Sequence, residues 1–308
     1  MEFRPVKRSL MDLLGTEYVD AVCRAKAFLT GRPLSDWQAV GREAVNFWPV
    51  EVQKRLHSLL PRVGQRVVEP LASSPVGAGS AAFCAVSKPA MAPLSGLGYF
   101  RVAEDGRLFL IAKSEHYHVL LGHAFPGYQL LEKARTLGIP NATHNNTRGT
   151  IVRRLEETLI RLANGMQPAE PLTSLKPGQL SRVINIETGS LAAEVALKIV
   201  LTRFFAPEGG SAPVEYADRI PAIVVVGNDA GDLQGNYHGT SLLPQTLRGM
   251  WPELHARAEA GGLYRVVAVR PNDAAGLRAA FAEYDRGPHK VVALFHEQLR
   301  YAVRSARE

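Results

Sequence analysis

The chain has 308 residues, 46% of them hydrophobic, and a net charge of +7. That length and apolar share suffice for one large domain or two smaller ones, and exclude a chain that is disordered throughout. The basic residues are scattered, with no basic helix and no aromatic interleaving, so we expect a solvated basic surface and no nucleic-acid partner. The start, Met-Glu-Phe-Arg, lacks a signal layout and no apolar run is long enough to span a bilayer; no membrane partner and a cytoplasmic location are expected. Cys23 and Cys84 show no metal-ligand spacing and read as buried small apolar residues rather than a disulfide or zinc site.

Residues 1–60 read as a helical N-terminal region. Ser9 caps a first helix whose apolar positions are Leu10, Leu13, Leu14, Ala21, Val22, Ala25 and Phe28, and Gly31-Arg32-Pro33 ends it. Ser35-Asp36-Trp37-Gln38 has the form of a capping box for a second helix, and a third restarts after Trp48-Pro49. Residues 61–97 are rich in Pro, Gly, Ala and Ser and read as a linker or long covering loop. A hairpin follows, with strands from Tyr99 to Val102 and Arg107 to Ile111 around a Glu104-Asp105-Gly106 turn. His116, His118 and His123 lie close together. Only Glu115 stands beside them, so the spacing falls short of a metal set. Helices are predicted at about 127–137 and 150–164, the second carrying Ile151, Leu155, Leu159 and Leu162.

From Ser181 onward strands and helices alternate. Val183–Ile186, Ala222–Val226, Val266–Val269 and Val291–Phe295 are short apolar strands, with helices at 190–204 and, capped by Asn272 or Asp273, at 274–284. This pattern predicts an α/β domain with a mostly parallel sheet buried on both faces, its ligands outside the carboxyl ends of the strands. The Thr188-Gly189-Ser190 turn is the focus. Leu191, Val195, Ile199 and Thr202 step at helical spacing behind it. A turn opening a helix gathers unpaired N–H groups at the positive end of the helix dipole, where Gly189 admits close approach and Ser190 adds a hydroxyl. Phosphate suits such a site. An ordinary N-cap made by Ser190 or Thr188 is the alternative.

Three segments in order carry a resemblance. Gly122-His123-Ala124-Phe125-Pro126, Thr188-Gly189-Ser190 with the Glu194-Val195-Ala196-Leu197-Lys198 run, and Gly235-Asn236-Tyr237-His238-Gly239-Thr240 resemble the GHxxP, SGSEA…EAALK and GSYHG motifs of class III aminotransferases, which depend on pyridoxal phosphate. The resemblance spans roughly Tyr99 to Glu297, about two-thirds of the chain. It implies the fold type I architecture of PLP transferases, with the first part of a small domain over 98–145 and a PLP-binding large domain over 146–308 expected to be truncated at its C-terminus, behind the helical region read over 1–60 and the linker read over 61–97. It also implies that Thr188, Gly189 and Ser190 cup the cofactor phosphate. Tyr237 would stack on the cofactor ring, with His238 and Gly239 completing its loop. The small-molecule substrates would be an amine and a carbonyl compound, and the site would lie at a dimer interface. His123 and its neighbours would mark a backbone turn beneath that site.

Departures from the family pattern are equally plain. Leu191 stands where a Glu is usual, and Gln298 follows Glu297 where a Pro is usual. Glu297 is a candidate site carboxylate, with an ordinary strand-end Glu as the alternative. The Asp that holds the cofactor nitrogen and the lysine that forms the Schiff base come later in the family than residue 308. Lys290 is misplaced for that role. By itself this chain is therefore expected not to transaminate. Two readings stay open: the N-terminal part of an aminotransferase, or a catalytically silent paralogue that binds a phosphorylated ligand or pairs with a complete subunit. A weaker third is another enzyme on the same fold, with His123, His238 or Glu297 in acid–base roles.

Overall fold

The computed structural model describes residues 4–111, 121–139, 148–210, 214–233, 241–247, 249 and 251–295. The protein is mixed α/β and divides into two compact units, Met1–Ser174 and Leu175–Glu308.

In the first unit a short strand β1 (Lys7–Arg8) precedes three helices, α1 (Leu10–Leu14), α2 (Thr16–Thr30) and α3 (Leu34–Arg42). β2 (Val45–Asn46) pairs antiparallel with β1, and α4 (Val50–Leu59) follows. Ser9 caps α1 through a reciprocal box: its hydroxyl accepts from the Asp12 N–H at 3.1 Å, and its own N–H donates to the Asp12 carboxylate at 2.7 Å. The single first helix read from the sequence is broken at Gly15, whose φ of 86° bends the chain between α1 and α2. The Ser35 capping box is not used; α3 starts two residues earlier than that box implies, at Leu34 behind Pro33, whose fixed φ suits a helix start. Leu10, Val19, Cys23, Trp37 and Val45 form the core with Leu130 and Leu137 of a later helix. Phe28, assigned to the apolar face, is 89% exposed instead, in the last turn of α2 where no element of the described residues covers it.

Residues 61–97 contain α5 (Ala81–Val86) and end in β3 (Pro93–Leu97). β3 pairs antiparallel with β4 (Phe100–Ala103), and β4 with β5 (Leu108–Leu110). The hairpin turn falls where expected, on Gly106 at φ 77°. Cys84 corrects the expectation of a buried thiol: it is exposed on α5. α6 (Gln129–Leu137) closes on Gly138 in the left-handed conformation, and α7 (Thr150–Ala163) ends at Asn164.

The second unit holds the parallel sheet. α8 (Gly189–Leu201) precedes β6 (Ile220–Val226); α9 (Leu242–Leu247), α10 (Pro252–Ala260), β7 (Arg265–Val269), α11 (Ala274–Tyr284) and β8 (His289–Phe295) follow. The strand order is β7-β6-β8, both pairings parallel. Alternation along β6 divides the core: Ile223 and Val225 face Leu197 of α8, Leu247 of α9 and Tyr264, whereas Val224 faces Ala280 of α11. Both faces are covered, as short fully apolar strands require. Asp273 caps α11, its carboxylate accepting from the Gly276 N–H at 2.7 Å.

Two expectations fail here. Val183–Ile186 forms no strand and pairs with no strand among the described residues. α8 also buries a different stripe from the one assigned. Leu191 and Ile199 are 43% and 50% exposed, while Leu197 is 1% exposed. α8 is apolar nearly all round, so spacing alone does not select its inner face. No helix of the described residues is long and apolar enough to cross a membrane.

Candidate functional site

The helix start singled out in the sequence is an open turn. Thr188 is extended (φ −142°, ψ 157°) and caps α8: its hydroxyl accepts from the Leu191 N–H at 3.2 Å, and its carbonyl from the Ala192 N–H at 2.9 Å. The ordinary N-cap is thus present, and it uses Thr188 alone. Gly189, at the first helical position, is exposed, and its N–H has no acceptor among the described residues. A Cβ built on Gly189 would meet nothing within 4 Å, and its φ is not in the left-handed region. Among the described residues nothing therefore requires glycine here. Ser190 is half-buried, and its carbonyl accepts from the Ser241 hydroxyl at 2.9 Å.

That last bond joins two sequence-predicted segments. Ser241 directly follows Gly235–Thr240 in the sequence, and Ser241 itself is tied to the Thr-Gly-Ser turn across 51 residues. Tyr237, His238, Gly239 and Glu297 themselves lie outside the described residues, as do Glu115, His116 and His118. Leu191 projects an exposed side chain beside the turn. Glu194 points elsewhere: it is half-buried, and its Oε2 has no partner among the described residues.

At the carboxyl end of β6 the chain makes a closed loop that sequence reasoning passed over. The Gly227 N–H donates to the Val269 carbonyl at 2.8 Å, the Asn228 N–H to the Asp232 carbonyl at 2.9 Å, and the Asp232 N–H to the Asn228 side-chain carbonyl at 2.8 Å. Here glycine is needed, since a Cβ on Gly227 would lie 2.8 Å from the Asp232 carbonyl oxygen. The signal was available in Gly227-Asn228-Asp229-Ala230-Gly231, a cluster of turn residues immediately after an apolar strand. Its contrast with Gly189 is informative: one glycine is demanded by the backbone around it, the other by nothing among the described residues.

Lys290 sits at the opposite end of the sheet. It is paired in register with Pro221, near the amino end of β6, and its ammonium lies 2.8 Å from the Asp285 carboxylate. Hydrogen bonds from Lys290 and from the Val291 N–H hold the Asp285 carboxyl below its usual pKa. This lysine is committed to bracing the start of β8, away from the strand ends where a ligand binds.

In the first unit His123 belongs to a backbone clasp. Its N–H donates to the Gly98 carbonyl, and its carbonyl accepts from the Gly98 N–H, both at 2.7 Å. The ring lies against Gly96, where a Cβ would fall 2.3 Å from the imidazole Cγ. Gly122 (φ 88°) passes so close to Gly98 that a Cβ would lie 2.6 Å from its carbonyl carbon. Phe125 then packs among Phe47, Trp48 and Tyr128, with ring centroids 5.2–5.6 Å away. His123 is thus part of the backbone turn read from the sequence. Among the described residues no group of three His, Cys, Asp or Glu side chains could hold a metal ion.

No protein-family model matches the chain, and no curated protein matches it. The residues present do fit the phosphate end of pyridoxal phosphate. Among the described residues Gly189 leaves room for an oxyanion against the backbone and its N–H is available to donate, with the capping Thr188 just before it and Ser190 just after it in the chain.

Proposed function

We propose that this chain is an aminotransferase-family protein of class III that binds pyridoxal phosphate through Thr188-Gly189-Ser190. The observation that carries the proposal is Gly189: a helix-opening glycine whose missing side chain leaves space that no atom of the described residues uses. The tie between Ser241 and Ser190 supports it, because it brings the flank of the second motif to the same turn.

In this role the Gly189 N–H donates to a phosphate oxygen and the start of α8 lends its positive dipole end. Thr188 holds the cap geometry and Ser190 adds a hydroxyl donor. Ser241 fixes the Ser190 peptide so that these donors keep one orientation. When bound, the cofactor supplies an electron-withdrawing ring through which an amino group is exchanged with a carbonyl compound. A second copy or a complete subunit would share the site, as the family resemblance implies. A second reading, binding of a phosphorylated ligand without amino transfer, is favoured by one observation: Lys290 is engaged with Asp285 at the far end of the sheet.

The test is a titration with pyridoxal phosphate and, in parallel, with pyridoxal lacking the phosphate. Saturable binding of the first alone, weakened by Ser190→Ala, is the expected result. Equal behaviour of the two compounds would sink the proposal. Neither reading expects the chain by itself to release a carbonyl compound from a supplied amine, and such release would overturn that expectation.

A further inference from the structure

The first unit contains a cleft of about 560 Å³ along α7 that the proposed function does not use. That is the size of a small-molecule site. Arg153, Arg154 and Arg161 line it, with Glu157 as the one carboxylate in the lining. Three cations against one anion leave an excess of two positive charges. Arg161 is held in place from two sides: Nε donates to the Glu170 carbonyl and Nη1 to the Glu157 carboxylate, both at 3.2 Å, with the side chain 21% exposed. Arg153 reaches only the Thr150 hydroxyl at 3.5 Å, and Arg154 only the Leu13 carbonyl at 3.4 Å. A guanidinium carries five N–H donors. Among the described residues these four bonds leave most donors of the three guanidiniums without an acceptor. An apolar wall adjoins them: Leu162 is 72% exposed, and Met166 and Pro168 complete the lining beside it.

We propose that this cleft binds a small phosphate monoester with an apolar body. The doubly charged oxyanion matches the excess of two charges, and forked guanidinium donors suit phosphate oxygens better than ammonium groups do. Leu162 and Met166 would receive the apolar part, which distinguishes the ligand from inorganic phosphate. Arg161, already fixed by Glu157 and Glu170, is the preorganised anchor; Arg153 and Arg154 close on the oxyanion from the same face of α7.

The probe is phenyl phosphate, titrated into the whole chain by calorimetry at low salt, with inorganic phosphate alongside. We expect phenyl phosphate to bind more tightly than phosphate. The paired change Arg153→Gln with Arg154→Gln should weaken it at least tenfold while leaving the circular dichroism unchanged. Arg161→Gln should do the same, but it also removes the bond to Glu170, so the exposed pair is the decisive variant. Unaltered affinity in the double variant overturns the proposal, as does equal affinity for phosphate and phenyl phosphate. Binding that is lost with Ser190→Ala instead belongs to the α8 turn and also overturns it.

Discussion

Replacing Gly189 by alanine separates a glycine kept for the fold from one kept for a ligand. The added methyl meets no atom within 4 Å, and the backbone is not left-handed, so the apo protein gains rather than loses. Alanine restricts the unfolded chain more than glycine does, which stabilises the folded state by about 0.4–1 kcal/mol, or roughly 1–4 °C in Tm. The same methyl occupies the space assigned to the phosphate. A displacement that weakens binding about tenfold costs about 1.4 kcal/mol. Thermal unfolding with and without pyridoxal phosphate reads both effects at once, because a ligand that binds only the folded state raises Tm. The native chain should show a ligand-induced rise. Gly189→Ala should start slightly higher and show little or none. If the variant keeps the full ligand response, the phosphate is not at Gly189. If it unfolds earlier without ligand, the glycine serves the fold and the reasoning fails.

Three further outcomes follow from the same geometry. Ser241→Ala removes the hydroxyl bound to the Ser190 carbonyl; it should cost about 1 kcal/mol in urea denaturation and weaken pyridoxal phosphate binding, and unchanged binding would count against the positioning role. Tyr264 is 1% exposed and its hydroxyl has no partner among the described residues, so Tyr264→Phe should stabilise by about 1 kcal/mol in the same denaturation assay. Burial, helped by the Glu259 charge, pushes the Tyr264 pKa from 10.0 up to about 12. The unfolded chain releases this proton first, so native stability falls as pH rises between 10 and about 12. The phenylalanine variant should lose that fall. Gly122→Ala forces a Cβ to 2.6 Å from the Gly98 carbonyl carbon at a φ of 88°, and should destabilise the first unit by at least about 2 kcal/mol, measured by urea denaturation.

Local signals were legible wherever the chain alone decides. Gly31, Gly106 and Asp273 end or begin elements at their expected places, because turns and caps need only neighbouring residues. The parallel strands at Ala222, Val266 and Val291 were likewise readable, since a sheet buried on both faces demands unbroken apolar runs. The Thr188-Gly189-Ser190 turn was visible for the same local reason. Which face of α8 is buried was not, because an all-round apolar helix carries no phase; Leu197 was selected by packing against Ile223 and Val225. Val183–Ile186 has strand composition but pairs with no strand among the described residues, and a strand exists only as one side of a ladder. Nor does any local rule place Ser241 against Ser190, 51 residues apart, or show that Gly189 borders empty space while Gly227 is hemmed in by Asp232. The sequence by itself settled where the chain turns and where it runs apolar. Only the tertiary structure decided which surfaces meet, because burial and through-space hydrogen bonds depend on residues that the sequence keeps far apart.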